Sequence, residues 1–201
     1  MPRPQLHAPE SILDAARALV LDRGLAAATI GEIARLSGAP TGSIYHRFGS
    51  RDDLLARMWI RGIRRSQQAC LDAAARTGEP LEAAVAAALA VYDFCDRHPA
   101  DARLLLAFRR EDLLQNATAP EVVRELQDLN RPVVNAMRDL ARRLYGRATP
   151  AAIDQVVLAV FDLPHGAVRR PLISGEKLSA RRRQSLEAAV RAALTGTYDL
   201  A

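Results

Sequence analysis

A chain of 201 residues, 49% of them hydrophobic, with a net charge of +5, is long enough for one ordinary domain or two small ones. It is also apolar enough to build a core, which excludes wholesale disorder. The longest uninterrupted apolar run, Ala83–Tyr92, has ten residues, where a membrane-spanning helix needs about 20. The opening "MPRPQLHAPE" has no signal-peptide core, so a cytoplasmic location is expected. Cys70 and Cys95 make no disulfide framework. With only His98 near Cys95, neither a metal nor a cofactor is expected. Residues 1–60 hold seven arginines against six acids, so any nucleic-acid contact there must rest on a few well-placed groups, not on bulk charge.

Taken in chain order, the sequence reads as helices nearly throughout. Ile12, Ala15, Ala16, Leu19 and Val20 recur at helical spacing and Gly24 closes that helix. Thr29 and Glu32 form a capping-box pair opening a second helix with Ile30, Ile33 and Ala34 inward. Gly38 supplies a turn, and Pro40 is expected at the first position of a short helix, Thr41 to Phe48, with Ile44 and Phe48 on its inner side. Ser50 with Asp53 opens a long helix expected over 51–76. Further helices are expected over 80–97, 101–115, 120–145 (kinked at Pro132), 150–163 and 181–197. No strand pattern or internal repeat is present, so the fold class is all-α.

Two helices joined by a short glycine turn make a helix-turn-helix. A helix of the length of Thr41–Phe48, at about 1.5 Å per residue, fits a major groove about 12 Å wide. Its outer side would show Thr41, Gly42, Ser43, Tyr45 and His46. Thr41 and Ser43 are short groups near the end that meets base edges; Tyr45, His46 and Arg51 can donate to phosphates. Thr29 and Pro40, at the starts of the two helices, complete the candidate interface. The other reading is a helical hairpin in a packed bundle with no DNA role.

Residues 29–59, "TIGEIARLSGAPTGSIYHRFGSRDDLLARMW", favour the first reading. The Ile30, Ile33, Ala34 set, the Ser37-Gly38 turn, the run from Gly42 to Phe48 and the Arg51–Leu55 helix start resemble the DNA-binding head of TetR-type transcriptional regulators. The resemblance implies a phosphate-binding role for Tyr45 and places Arg51 where the family usually has lysine. Ala39-Pro40 replaces the usual Val-Ser, which removes a side-chain N-cap. It further implies a head over 1–55, and a helical ligand-binding and dimerisation domain over 56–201. The partners it implies are an operator duplex, a small-molecule effector and a second copy of the chain.

Under that resemblance, Ile153, Val156, Val157 and Val160 on one helix, and Leu186, Val190 and Leu194 on another, form dimerisation faces. The alternative is that both faces bury against their own subunit. Candidate cavity-wall residues are Trp59, Ile63, Tyr92, Phe108, Asn135 and Phe161; taken singly, each reads more readily as ordinary core. In "VFDLPHGAVRRPL", Val160–Leu172, Pro164, His165 and Gly166 are expected to interrupt a helix, lining the cavity or turning the chain. The expected function is a ligand-responsive, DNA-binding repressor acting on a pseudo-palindromic operator. A same-fold activator without effector, and a helical-bundle enzyme, are the alternatives. The enzyme reading finds no phosphate loop, H-E-x-x-H or G-x-S-x-G.

Overall fold

The computed structural model describes residues 8–196. The first seven residues of the opening segment, and position 197 at the expected end of the last helix, lie outside them. Among the described residues there are helices and turns and no strand. The chain divides into two compact units: Met1–Ile63 with Ala100–Leu129, and Arg64–Pro99 with Asn130–Ala201.

In the first unit, α1 (Pro9–Arg23) buries Ile12, Leu13, Ala15, Ala16, Leu19 and Val20. Gly24 closes it at φ +82° and returns its N–H to the Val20 carbonyl. A 3₁₀ turn, Leu25–Ala27, leads to α2 (Ile30–Ser37). Only half of the expected capping box forms: Thr29 Oγ1 accepts from Glu32 N–H at 3.2 Å. The Glu32 carboxylate turns away to Arg35, at 2.9 Å, and Thr29 N–H goes to the Ala27 carbonyl. Gly38, at φ +72°, makes the left-handed turn into α3 (Thr41–Phe48). Pro40 is the N-cap rather than the first helical residue; its carbonyl, with no side chain to help, accepts from Ser43 and Ile44.

The long helix α4 (Arg51–Ala74) opens with the Ser50–Asp53 cap in place: Asp53 N–H donates to Ser50 Oγ at 3.0 Å. The expected 101–115 helix is two, α6 (Pro99–Ala107) and α7 (Arg110–Asn116), following α5 (Pro80–Arg97). The break is at Phe108 and Arg109; Arg109 is extended and donates its N–H to Asp112. A Cβ on Gly62 of α4 would lie 3.3 Å from Leu105 Cδ2, so the missing side chain is what lets α4 and α6 approach. Arg17 on α1 pairs with the buried Asp101 of α6.

The expected 120–145 helix is also two, α8 (Pro120–Asp128) and α9 (Arg131–Tyr145). The break comes at Leu129 and Asn130. Pro132 then falls in the first turn of α9, where its missing N–H costs nothing.

In the second unit, α10 (Pro150–Val157), a π-turn (Leu158–Asp162) and α11 (Leu163–Ser174) run on as one continuous helix. The expected interruption at Pro164–Gly166 does not occur. A proline in a helix clashes with the carbonyl four residues back and removes a bond. Here the chain widens just before Pro164, with Leu163 N–H reaching five residues back to the Leu158 carbonyl. Pro171 deprives the Ala167 carbonyl of its donor in the same way, and Arg182 Nη1 supplies one at 3.3 Å. Pro150–Ser174, at 25 residues, is long enough to cross a membrane, with a mean hydropathy of 1.3 in its most apolar window. It carries Asp154, Asp162, Arg169 and Arg170, and buries Val156, Val160, Val168 and Leu172 against its own unit, as a core helix does.

The closing helix α12 (Ala180–Thr195) packs on α5 and is tied to it by ion pairs, Arg183 to Asp93 at 2.7 Å and Arg191 to Glu82 at 2.6 Å. Cys70 and Cys95 are free and buried. Burial pushes their thiols up to about 12 and about 11, which leaves them protonated at neutral pH.

Candidate nucleic-acid interface

The helix α3 has two unlike sides. Ile44 and Phe48, four positions apart, are buried in the first unit's core with Ile12, Ile33 and Leu54. That anchorage leaves Thr41, Gly42, Tyr45 and His46 exposed, with Ser43 and Arg47 half-buried at the flanks. Tyr45, 52% exposed, has an outlying phenol free to donate. At the amino end, the N–H groups of Thr41 and Gly42 lack partners by helix geometry, and Gly42 has no side chain to shield them; the helix dipole adds a partial positive charge there. The exposed side thus presents donors, a small gap and a rigid backbone, which is what a duplex groove requires of a reading helix.

Two contacts fix this helix in place. Arg51, expected at a phosphate, is engaged inside the unit: Nε donates to the Ala28 carbonyl at 2.8 Å, Nη2 to the Leu25 carbonyl and Nη1 to Asp52. It staples the turn before α2 to the start of α4, and so brackets the helix-turn-helix from both ends. The second contact is Asp53. It is 2% exposed, yet it accepts from Ser50 Oγ at 2.6 Å, from Thr118 N–H and Oγ1 at 3.0 Å each, and from Ala119 N–H at 3.1 Å. Burial alone would raise its pKa; the donors from Ser50, Ala119 and Thr118 together outweigh this and hold the carboxyl below its usual range.

Of the other candidates, Thr29 is an exposed N-cap and Pro40 an exposed turn residue, both bordering α3's exposed side in sequence. Arg47 was not among the expected site residues. It is the one arginine in α3 and makes no ion pair or hydrogen bond among the described residues. Its position between an outer residue and buried Phe48 hid it.

The proposed cavity-wall set divides between the units. Trp59, Ile63 and Phe108 share the first unit's core. Tyr92 is buried in the second, donating to the Ser179 carbonyl at 3.0 Å, and burial raises its phenol pKa. Phe161 is half-buried beside His165, and Asn135 is exposed, accepting from Arg138. The proposed dimer faces are largely turned inward: Val156, Val160, Leu186, Val190 and Leu194 are buried within the second unit, and Ile153 and Val157 half-buried. Among the apolar residues these helices leave exposed are Leu158, Ala188, Ala189 and Ala192.

Residues 12–58 match the family model described as bacterial regulatory proteins, tetR family. No curated protein matches the chain. Solved structures do. A tetR-family regulatory protein from Rhodococcus RHA1 is 18% identical, with 98% of this chain and 100% of that one covered at a TM-score of 0.72. A TetR-like regulator from Rhodococcus sp. RHA1 is 21% identical, covering 98% and 100% at 0.67. The fatty acid degradation regulator FadR from Bacillus halodurans is 15% identical, covering 95% and 100% at 0.70. Residues 12–58 thus match the DNA-binding head of the tetR family, and nearly the whole chain takes the fold of these regulators.

Proposed function

We propose that this protein is a TetR-type transcriptional regulator, a cytoplasmic homodimer that represses by binding a pseudo-palindromic operator and is released by a small-molecule effector, with no catalytic role. The observation that carries the DNA reading is the division of α3: Ile44 and Phe48 are locked into the core while Thr41, Gly42, Tyr45 and His46 face solvent. Thr41 and Ser43 read base edges; Tyr45, His46 and Arg47 contact phosphates; Arg51 positions the helix. In functional terms the division of labour is a head through about residue 55 and a remainder that dimerises and senses.

Two-fold operators need two heads about 34–36 Å apart. The dimer face we assign is the exposed side of the α10–π-turn–α12 pair, around Leu158, Ala188, Ala189 and Ala192, with Ile153 and Val157 at its edge. Small side chains there let helices approach closely in a four-helix arrangement.

Release follows from α4. Its first turn holds the buried Asp53, bonded to Thr118 and Ala119, and Trp59 lies in the same core with Ile63 and Phe108. A ligand that tilts α4 moves α3 with it, and a coupling of about 1–3 kcal/mol, roughly 5–150-fold in affinity, suffices for derepression. An effector that weakens operator binding must itself be weakened equally by saturating operator. Measuring both affinities in one cycle tests the reading; release with no reciprocal effect contradicts it. An activator without effector would show no such release by any cell metabolite.

A further inference from the structure

Three buried side-chain nitrogens among the described residues have no hydrogen-bond partner: Nε of Arg57, Nε of Arg61 and Nε1 of Trp59. The arginines are relieved by their terminal nitrogens. Arg57 faces Glu121 at 3.5 Å and Glu125 at 3.8 Å; Arg61 meets Glu10 and Asp14 at 2.7 Å each. Trp59 has no such relief. It is 6% exposed, and the indole N–H is its only polar group. Leaving a buried donor unmet is costly, and phenylalanine would fill an apolar site without that cost.

Trp59 belongs to the apolar core of the first unit. Leu104, Leu126 and Leu129 are buried in the same core, and Ile63, Leu105 and Phe108 pack against it part-buried. Phe108 stands in the break between α6 and α7, so its side chain can give way without breaking a helix. An ionised ligand would bring a charge into this core, where the arginines of the same helix are already paired with acids, and a buried unpaired charge is disfavoured. A neutral ligand with one acceptor meets the site's single demand.

We infer that the indole N–H of Trp59 is the polar recognition point for a neutral, mainly hydrocarbon ligand carrying one carbonyl acceptor, a ketone or an ester, taken into the apolar core of the first unit. This rests on the ligand-responsive reading above, whose effector it assigns to a chemical class. The carbonyl oxygen accepts from Nε1, and the alkyl part displaces Phe108 and Leu105 outward.

The chain has one tryptophan, so the full-length protein gives a single indole N–H resonance. Titration with 2-nonanone and with methyl octanoate moves that resonance downfield and saturably, whereas n-nonane, which lacks an acceptor, produces no downfield shift. In Trp59→Phe, the preference for 2-nonanone over n-nonane, measured by calorimetry, falls roughly 3–10-fold, the worth of one hydrogen bond. An indole resonance already at a hydrogen-bonded position in the free protein overturns the assignment. So does the absence of a saturable shift with both carbonyl probes, or an undiminished preference in Trp59→Phe. Operator release is measured separately. A carbonyl probe that shifts the indole without releasing DNA keeps the site and removes the release reading. A cell metabolite that releases DNA without moving the indole resonance does the reverse.

Discussion

Thr118 donates both its backbone N–H and its hydroxyl to the carboxylate of Asp53, each at 3.0 Å, across 65 positions of sequence. The bond joins the first turn of α4, directly after α3, to the turn that opens α8. Asp53→Ala strands the N–H groups of Thr118 and Ala119, and is expected to cost roughly 2–3 kcal/mol in denaturant unfolding. Thr118→Val removes one of the two donors and leaves the fold nearly intact. If the joint carries the release signal, the operator–effector coupling of Thr118→Val falls while its operator affinity in the absence of effector changes little.

Acid should act on the same joint. The folded carboxyl of Asp53 titrates below its unfolded value, because the donors around it outweigh its burial. Its contribution to stability is therefore complete above the ordinary aspartate range near about 4 and is lost as pH falls through the depressed folded value. Wild type is expected to lose more stability between neutral pH and the acid side of that range than Asp53→Asn does, as read by urea midpoints over a pH series.

Arginines 47 and 51 should separate cleanly. Arg47 makes no ion pair or hydrogen bond among the described residues; Arg51 is bonded to the carbonyls of Ala28 and Leu25. Arg47→Ala is expected to lower the slope of log affinity against log salt by about 0.9, the signature of one lost phosphate contact. Arg51→Ala is expected to lower the melting temperature instead. Tyr45→Ala weakens all duplexes alike, whereas Thr41→Ala changes base preference, as read by binding to a randomised duplex pool.

Leu158 and Leu194 make the corresponding pair for assembly. Leu158 is 40% exposed and Leu194 3%. Leu158→Glu is expected to give folded monomers in sedimentation with loss of operator binding. Leu194→Arg buries an unpaired charge and is expected to unfold the second unit. A folded Leu158→Glu dimer would place the interface elsewhere.

The parts legible in the sequence were those set by local rules. Periodicity fixed α1 to α3, and Gly24 and Gly38 ended helices where left-handed backbone was needed. The inner side of α3 followed from the spacing of Ile44 and Phe48. What local rules missed was decided across the chain. Arg51 finds its carbonyls 23 and 26 positions earlier, and Asp53 its donors 65 later, at distances no spacing pattern covers. Pro164 reads as a helix breaker, yet burial of Val160, Pro164 and Val168 in one unit outweighs that preference and a π-turn absorbs the clash. Val156, Val190 and Leu194 make apolar stripes that suit a partner as well as a core; only the packing of α5 against α12 and the π-turn shows which side each stripe takes.

The most direct test is a footprint. Full-length protein is used to select duplexes from a randomised pool, and the selected duplex is probed by hydroxyl-radical cleavage over a series of salt concentrations. The account predicts two protected half-sites related by a two-fold axis, with centres separated by whole helical turns, and an affinity that falls steeply as salt rises. A single asymmetric footprint, or binding indifferent to salt, would contradict it.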